Sequence, residues 1–191
     1  MELELKNSQK QTSSGVTQPA VLSSTGKDNT TVHPSIMYVN NLSDFFVGMR
    51  VVRGRNWPKH KTEDFHQGQP GEGLIIKSRI PSGSSENWVR VKWDSDRESD
   101  IELSMDRGIL TLKLSPNADA IKKLSKPGTK VVRGPDWKYD NQDGGGNSTG
   151  KVIGFVDGCP GWVRVKWNGN DKEYRYRIGA EKGKFDIMAA D

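Results

Sequence analysis

The side chains best equipped for chemistry in this 191-residue chain are few: one cysteine, Cys159, and three histidines, His33, His60 and His66. A single thiol cannot form an intramolecular disulfide. With no histidine near it in sequence, it lacks the parts of a Cys–His nucleophile pair or a tetrahedral zinc site. Cys159 stands in the turn GCPG (158–161), where nothing beside it activates a thiolate. His60, Asp64 and His66 share a loop, but a metal needs more ligands at firm positions. The glycine run at 144–146 lacks the Lys-Ser/Thr of a phosphate loop and reads as a turn. No Ser/His/Asp set and no carboxylate pair stands out. The expectation is a chain without a catalytic site, metal or cofactor.

Recognition chemistry is better represented. All six tryptophans fall in short recurring contexts. In the two WVRVKW segments, side-chain alternation places Val89, Val91 and Trp93 on one face and Trp88, Arg90 and Lys92 on the other. Val163, Val165 and Trp167 likewise oppose Trp162, Arg164 and Lys166. The apolar faces turn inward. The outward faces pair an aromatic with cations, the composition of an interaction hot spot. The plainer alternative is that each outward Trp packs under a loop or under its neighbouring Arg. Tyr174, Arg175, Tyr176 and Arg177 form a further candidate, in which core tyrosines and solvated arginines are the plainer reading. Trp57 and Trp137 follow R-G-x-[ND] turns and read as structural. Asn56 and Asp136 suit hydrogen bonds to backbone just ahead, and Gly54 and Gly134 suit tight turns.

The elements that position these residues occur twice. GMRVVRGRNW (48–57) returns as GTKVVRGPDW (128–137), 80 residues later, and WVRVKWD (88–94) returns as WVRVKWN (162–168), 74 residues later. Order is kept and every Trp has a counterpart, so the chain carries an internal duplication. GEGLIIKSR (71–79) and TGKVIGFVD (149–157) read as strands. Each leads through a Gly-containing turn, 81–87 or 158–161, into the WVRVKW strand. The V-V-R-G segments open each copy. ILTLKL (109–114) and KFDIM (184–188) close it. Short strands with little helix predict an all-β fold, two small SH3-like barrels in tandem, because closure removes the edges of a small sheet.

Residues 1–43 are polar and without period and read as a disordered tail. The barrels are then residues 44–114 and 128–191, joined by a link over 115–127. There Ser115 suits a helix N-cap, Pro116 a first helical position and Pro127 a stop. The net charge is +5, with twelve basic and eleven acidic residues over 44–114 and fourteen and ten over 115–191. So mild a bias asks for no particular partner, and a nucleic-acid-binding barrel is the alternative reading. No stretch approaches the roughly 20 apolar residues of a bilayer span. The N-terminus lacks a secretory signal and the unpaired thiol fits a reducing compartment, so a cytoplasmic, monomeric protein is expected.

At GMRVVRGRNW, GTKVVRGPDW and the two WVRVKW strands, the sequence resembles the mind bomb/Herc domain of ubiquitin ligases. The second copy also carries YRYRIGAEKGKFDI (174–187), similar to the family's ending. The first departs from the pattern, with RNWPKHKTEDFHQGQ (55–69) in place of an Asp/Gly-rich loop and no Tyr-Arg element. The resemblance implies a module that holds another protein's peptide or cytoplasmic tail, as paired modules of mind bomb proteins hold Notch-ligand tails. The ZZ-type zinc finger between such modules is replaced here by the link 115–127, and no RING sequence follows. A fragment of a ligase, or a short relative that keeps only recognition, would look this way.

Overall fold

The computed structural model describes residues 42–79, 87–103, 111–145 and 147–190. The expected tail, apart from Leu42 and Ser43, lies outside the described residues. So do positions 81–86 of the first turn, Ile109 and Leu110 of the closing segment, and Gly146.

Among the described residues, twelve strands and little helix make the protein mostly β. The first sheet comprises β1 (Arg50–Arg53), β4 (Gly73–Arg79), β5 (Trp88–Trp93), β6 (Glu98–Glu102) and β7 (Leu112–Leu114). Its order is β6-β5-β4-β1-β7, with antiparallel neighbours. A small hairpin, β2 (Phe65–His66) with β3 (Gln69–Pro70), decorates its first loop. The second sheet comprises β8 (Lys130–Arg133), β9 (Gly150–Phe155), β10 (Trp162–Trp167), β11 (Glu173–Arg177) and β12 (Ile187–Ala189). Its order, β11-β10-β9-β8-β12, is the same.

Neither sheet closes by hydrogen bonding into the expected barrel, because the end strands of each have no pairing with one another. The closing strands β7 and β12 are only three residues long. The opposite edges, β6 and β11, carry outward charge at Glu98, Asp100 and Glu102 and at Glu173 and Arg175. Charge blunts an open edge without closing it.

The alternation read from sequence places the core. Val89, Val91 and Trp93, and likewise Val163, Val165 and Trp167, are buried. The link forms helix α1 (Ala118–Leu124), whose N-cap position is Asn117 rather than Ser115. Ser115 instead sits two residues earlier, buried, with its carbonyl accepting from Ala118 N. Ala118, Ile121 and Leu124 lie on one helical face at three-residue spacing and are all buried. Through that face the two sheets and the helix share one continuous hydrophobic core. Burying Ile121 alone contributes about 1.5–3 kcal/mol.

Gly134 differs from the sequence expectation. A turn conformation is not its requirement; close approach is. A Cβ there would stand 2.5 Å from the Phe185 carbonyl oxygen, where β12 runs against the end of β8.

Candidate functional site

One structural device recurs in both sheets. The Arg that ends the opening strand makes a two-pronged ion pair with a fully buried Asp of the next loop: Arg53 with Asp64, and Arg133 with Asp143 at 2.7 Å through both nitrogens. Each guanidinium lies over a Trp ring, Trp57 at 5.5 Å and Trp137 at 5.1 Å. Each of those rings meets the buried Trp of β5 or β10 edge-on, with centroids 5.2 and 5.6 Å apart. Each indole N–H donates to a loop carbonyl, that of Lys61 or Asp140. Trp57 and Trp137 are therefore structural, as their context indicated. Asp64, one of the three loop residues weighed as metal ligands, is held by Arg53. Asp136 does not cap its own turn: it accepts from Phe185 N at 2.7 Å and from Lys184 at 2.9 Å, closing the second copy end to end.

The strand-face residues fall as follows. Trp88 and Trp162 are half-buried, and Lys92, Arg164 and Lys166 are exposed. Arg90 is partly covered and held in a two-pronged pair with Asp100 of β6, 2.7 Å at each contact. Arg164 makes a looser pair with Glu173 at 3.4 Å. Arg175 is exposed and Tyr174 half-buried. Tyr176 takes the plainer, core reading rather than the surface one, and Arg177 departs from both. The Tyr176 ring is fully buried, its hydroxyl accepting from Trp167 Nε1 at 2.9 Å and donating to Gln142 Oε1 at 2.8 Å. Burial raises its pKa.

Arg177 is not solvated either: it is 5% exposed. Its guanidinium binds the buried Asp186 at 2.6 Å and Glu181 at 2.5 Å. The hydrogen bond to Asp186 leads the causes that raise its pKa. Tyr139 donates to the same Asp186 at 2.9 Å, and burial together with that bond pushes its pKa up to about 12. These two residues position the second sheet's ending and do not present themselves to a partner.

That ending makes a contact that sequence reasoning missed. After Gly179 the chain turns through Glu181 and Lys182, both with positive φ, and this turn lies over Arg50 of β1. Arg50 is 2% exposed and bound to Glu72 at 3.1 Å and to both oxygens of Asp94 at 2.9 and 2.5 Å. Burial opposes its charge, and the bonds and charges of Asp94 and Glu72 outweigh that, raising its pKa. Lys182 reaches Asp96 at 2.9 Å. Between the two sheets lies a cleft of about 410 Å3 walled by Ile76, Lys92 and Asp96 on one side and by Pro160, Trp162 and Lys182 on the other. It brings together Lys92 and Trp162, one candidate from each strand face. A second cleft, of about 400 Å3, lies on the outer face of β9 and β10 beside Lys151, Ile153, Lys166 and Asn170. Trp88, Arg90 and Arg164 border neither. The signal for Arg50 was available only as its place in the V-V-R-G strand, since its carboxylates come from distant turns.

Residues 128–191 match the Mib_herc2 family. The matched range includes the YRYRIGAEKGKFDI segment, whose Arg177 and Asp186 lock the second sheet and whose 179–183 turn covers Arg50. The chain is 39% identical to the E3 ubiquitin-protein ligase HERC2 of Homo sapiens over 80 residues, 42% of this chain and 2% of that protein. It is 46% identical to the E3 ubiquitin-protein ligase hecd-1 of Caenorhabditis elegans over 66 residues, 34% of this chain and 2% of that protein. With the E3 ubiquitin-protein ligase MIB2 of Gallus gallus it shares 42% identity over 64 residues, 31% of this chain and 6% of that protein. The chain thus spans a small part of the length of these ligases. Among the described residues no group of three or more His, Cys, Asp or Glu is placed to hold a metal ion, and no helix is long and apolar enough to cross a membrane.

Proposed function

We propose that this chain is a recognition module of ubiquitination that holds a peptide or cytoplasmic tail of another protein and leaves ubiquitin transfer to other domains. The observation that carries this reading is the Mib_herc2 domain itself. Its relatives are E3 ligases, and the region of likeness is a few per cent of each ligase's length. In this reading residues 44–114 are a second, diverged module of the same type. The identical strand order and the shared Arg–Asp–Trp arrangement support that assignment. Each sheet is then an opened SH3-like barrel, and the pair acts as a tandem in the cytoplasm, where such tails lie. A Notch-ligand-like tail is the partner class that the resemblance names. The contact residues of choice are the exposed or half-buried candidates: Trp88, Arg90, Lys92, Trp162, Arg164, Lys166, Tyr174 and Arg175.

The test uses the purified chain with a purified Notch-ligand cytoplasmic tail, together with a reconstituted ubiquitin-transfer assay. Retention of the tail, with no ubiquitin chains formed when this protein is the sole ligase, is the expected result. Transfer by this chain alone, or preference for a nucleic acid over the tail, contradicts it.

A further inference from the structure

The two sheets build one cleft twice, and among the described residues only the first has protein on its far wall. In each sheet the long second strand carries a one-residue bulge, at Ile76 in β4 and at Ile153 in β9, since the pairing skips that residue in both. A bulge re-aims a side chain, and here it places an isoleucine in each cleft. Beside it stands the same lysine, Lys92 or Lys166, and then the turn after the strand, one residue longer in the second sheet. The first cleft is faced by the second sheet's Pro160, Trp162 and 180–182 turn. The second is lined by β9, β10 and the turn after β10.

The chemistry of the two clefts differs, although the second also keeps one carboxylate in its lining, Asp171. Directly opposed residues across the first sheet read Arg50, Leu74, Lys92, Glu98. The matching row of the second sheet reads Lys130, Lys151, Lys166, Glu173. Glu72, Asp94 and Asp96, which serve Arg50 and Lys182, are matched by Thr149, Asn168 and Asn170. Three lysines thus stand opposite one another on adjacent strands, an arrangement that destabilises a sheet unless something offsets it. Among the described residues their ion pair is Lys166 with the exposed Asp171, at 3.6 Å.

We propose that the outer face of β9 and β10 docks an acidic peptide segment, its carboxylates along Lys130, Lys151 and Lys166 and an apolar side chain against Ile153. This rests on the peptide-recognition reading and names the face and the partner's chemistry. Charge complementarity argues for an acidic occupant. The first cleft argues for a protein one, because there Pro160, Trp162 and the 180–182 turn face the same strand positions. A nucleic acid fits less well. Trp167, the aromatic at this place, is buried and offers no surface on which a base could stack.

The test is a fluorescence titration of the full chain with a labelled peptide of alternating Glu and Gly around one Leu, its Gln-for-Glu counterpart, and an oligothymidine strand. The Glu peptide is expected to bind with salt-dependent affinity, and the Gln peptide about tenfold or more weaker. Lys151→Glu should weaken the Glu peptide by about tenfold or more, with an unchanged or raised melting midpoint because the opposed lysines are relieved. Lys113→Glu, an exposed site on β7, should change nothing. If Lys151→Glu unfolds the chain, Lys151→Met serves in its place with the same expected loss. Equal binding of Glu and Gln peptides, full affinity in the Lys151 variants, or tighter binding of oligothymidine overturns the proposal. Loss of this peptide with the ligand tail still retained overturns the face alone. Loss of the tail with Lys151-dependent peptide binding intact overturns the broader reading alone.

Discussion

Trp93 and Trp167 show how far a two-residue period can be trusted. Each is 1% exposed, on the face that alternation assigned. Trp93→Ala or Trp167→Ala should cost roughly 3–5 kcal/mol in a urea unfolding curve, as large-to-small core changes do. A midpoint like that of the unaltered chain would mean that these rings are not core. Arg177 marks where the same logic stops. Alternation assigned it to solvent, yet it is buried, because its partner Asp186 comes from the closing segment and no local pattern announces a distant carboxylate. The ion pair of Asp143 carries a pH signature. Hydrogen bonds from Arg133 lead the causes that hold its carboxyl below the usual range. The stability it adds is full above its unfolded value near pH 4 and is lost as pH falls through its lower folded value. Asp143→Asn should therefore be less stable than the parent at neutral pH, with the gap narrowing in acid. A gap of constant size from about pH 7 to about pH 2 would show that Arg133 does not hold this carboxylate.

At the scale of elements, strands were legible where turn residues and alternation coincide, as in β4, β5, β9 and β10. β6 was not. Glu98–Glu102 is charged and lacks the aromatic-basic signature of its counterpart β11, so only its pairing with β5 identifies it. Closure of the sheets was expected from strand number, and hydrogen bonding did not deliver it. The Gly179–Gly183 turn was also hidden, since its purpose is to lie on Arg50. Its first glycine, at φ 102°, would bring a Cβ within 3.1 Å of Arg50 Cγ. Gly169 has φ 81° with open space around it. Both alanine variants should incur the left-handed penalty of about 1–2 kcal/mol, and Gly179→Ala should cost more because it also crowds Arg50. Equal losses in thermal melts would show that the turn does not pack there.

For the molecule as a whole, the sequence repeats its motifs in two segments, and the structure adds that the two sheets they form share a core. The reason lies in α1. Its pattern promised a short link, whereas Ala118, Ile121 and Leu124 form a buried face joined to both sheets. Calorimetry should accordingly show one cooperative transition with matching calorimetric and van't Hoff enthalpies. Two resolved transitions would make the sheets independent. Within that single unit the proposed work is recognition, and Trp162, half-buried at the cleft between the sheets, is its best placed aromatic. The most direct test is isothermal titration of a purified Notch-ligand cytoplasmic tail into the full chain and into Trp162→Ala, with melting curves as the control for folding. The account predicts saturable binding to the chain and a loss of about tenfold or more in a folded Trp162→Ala variant. No binding to the parent, or equal affinity in the folded variant, would contradict it.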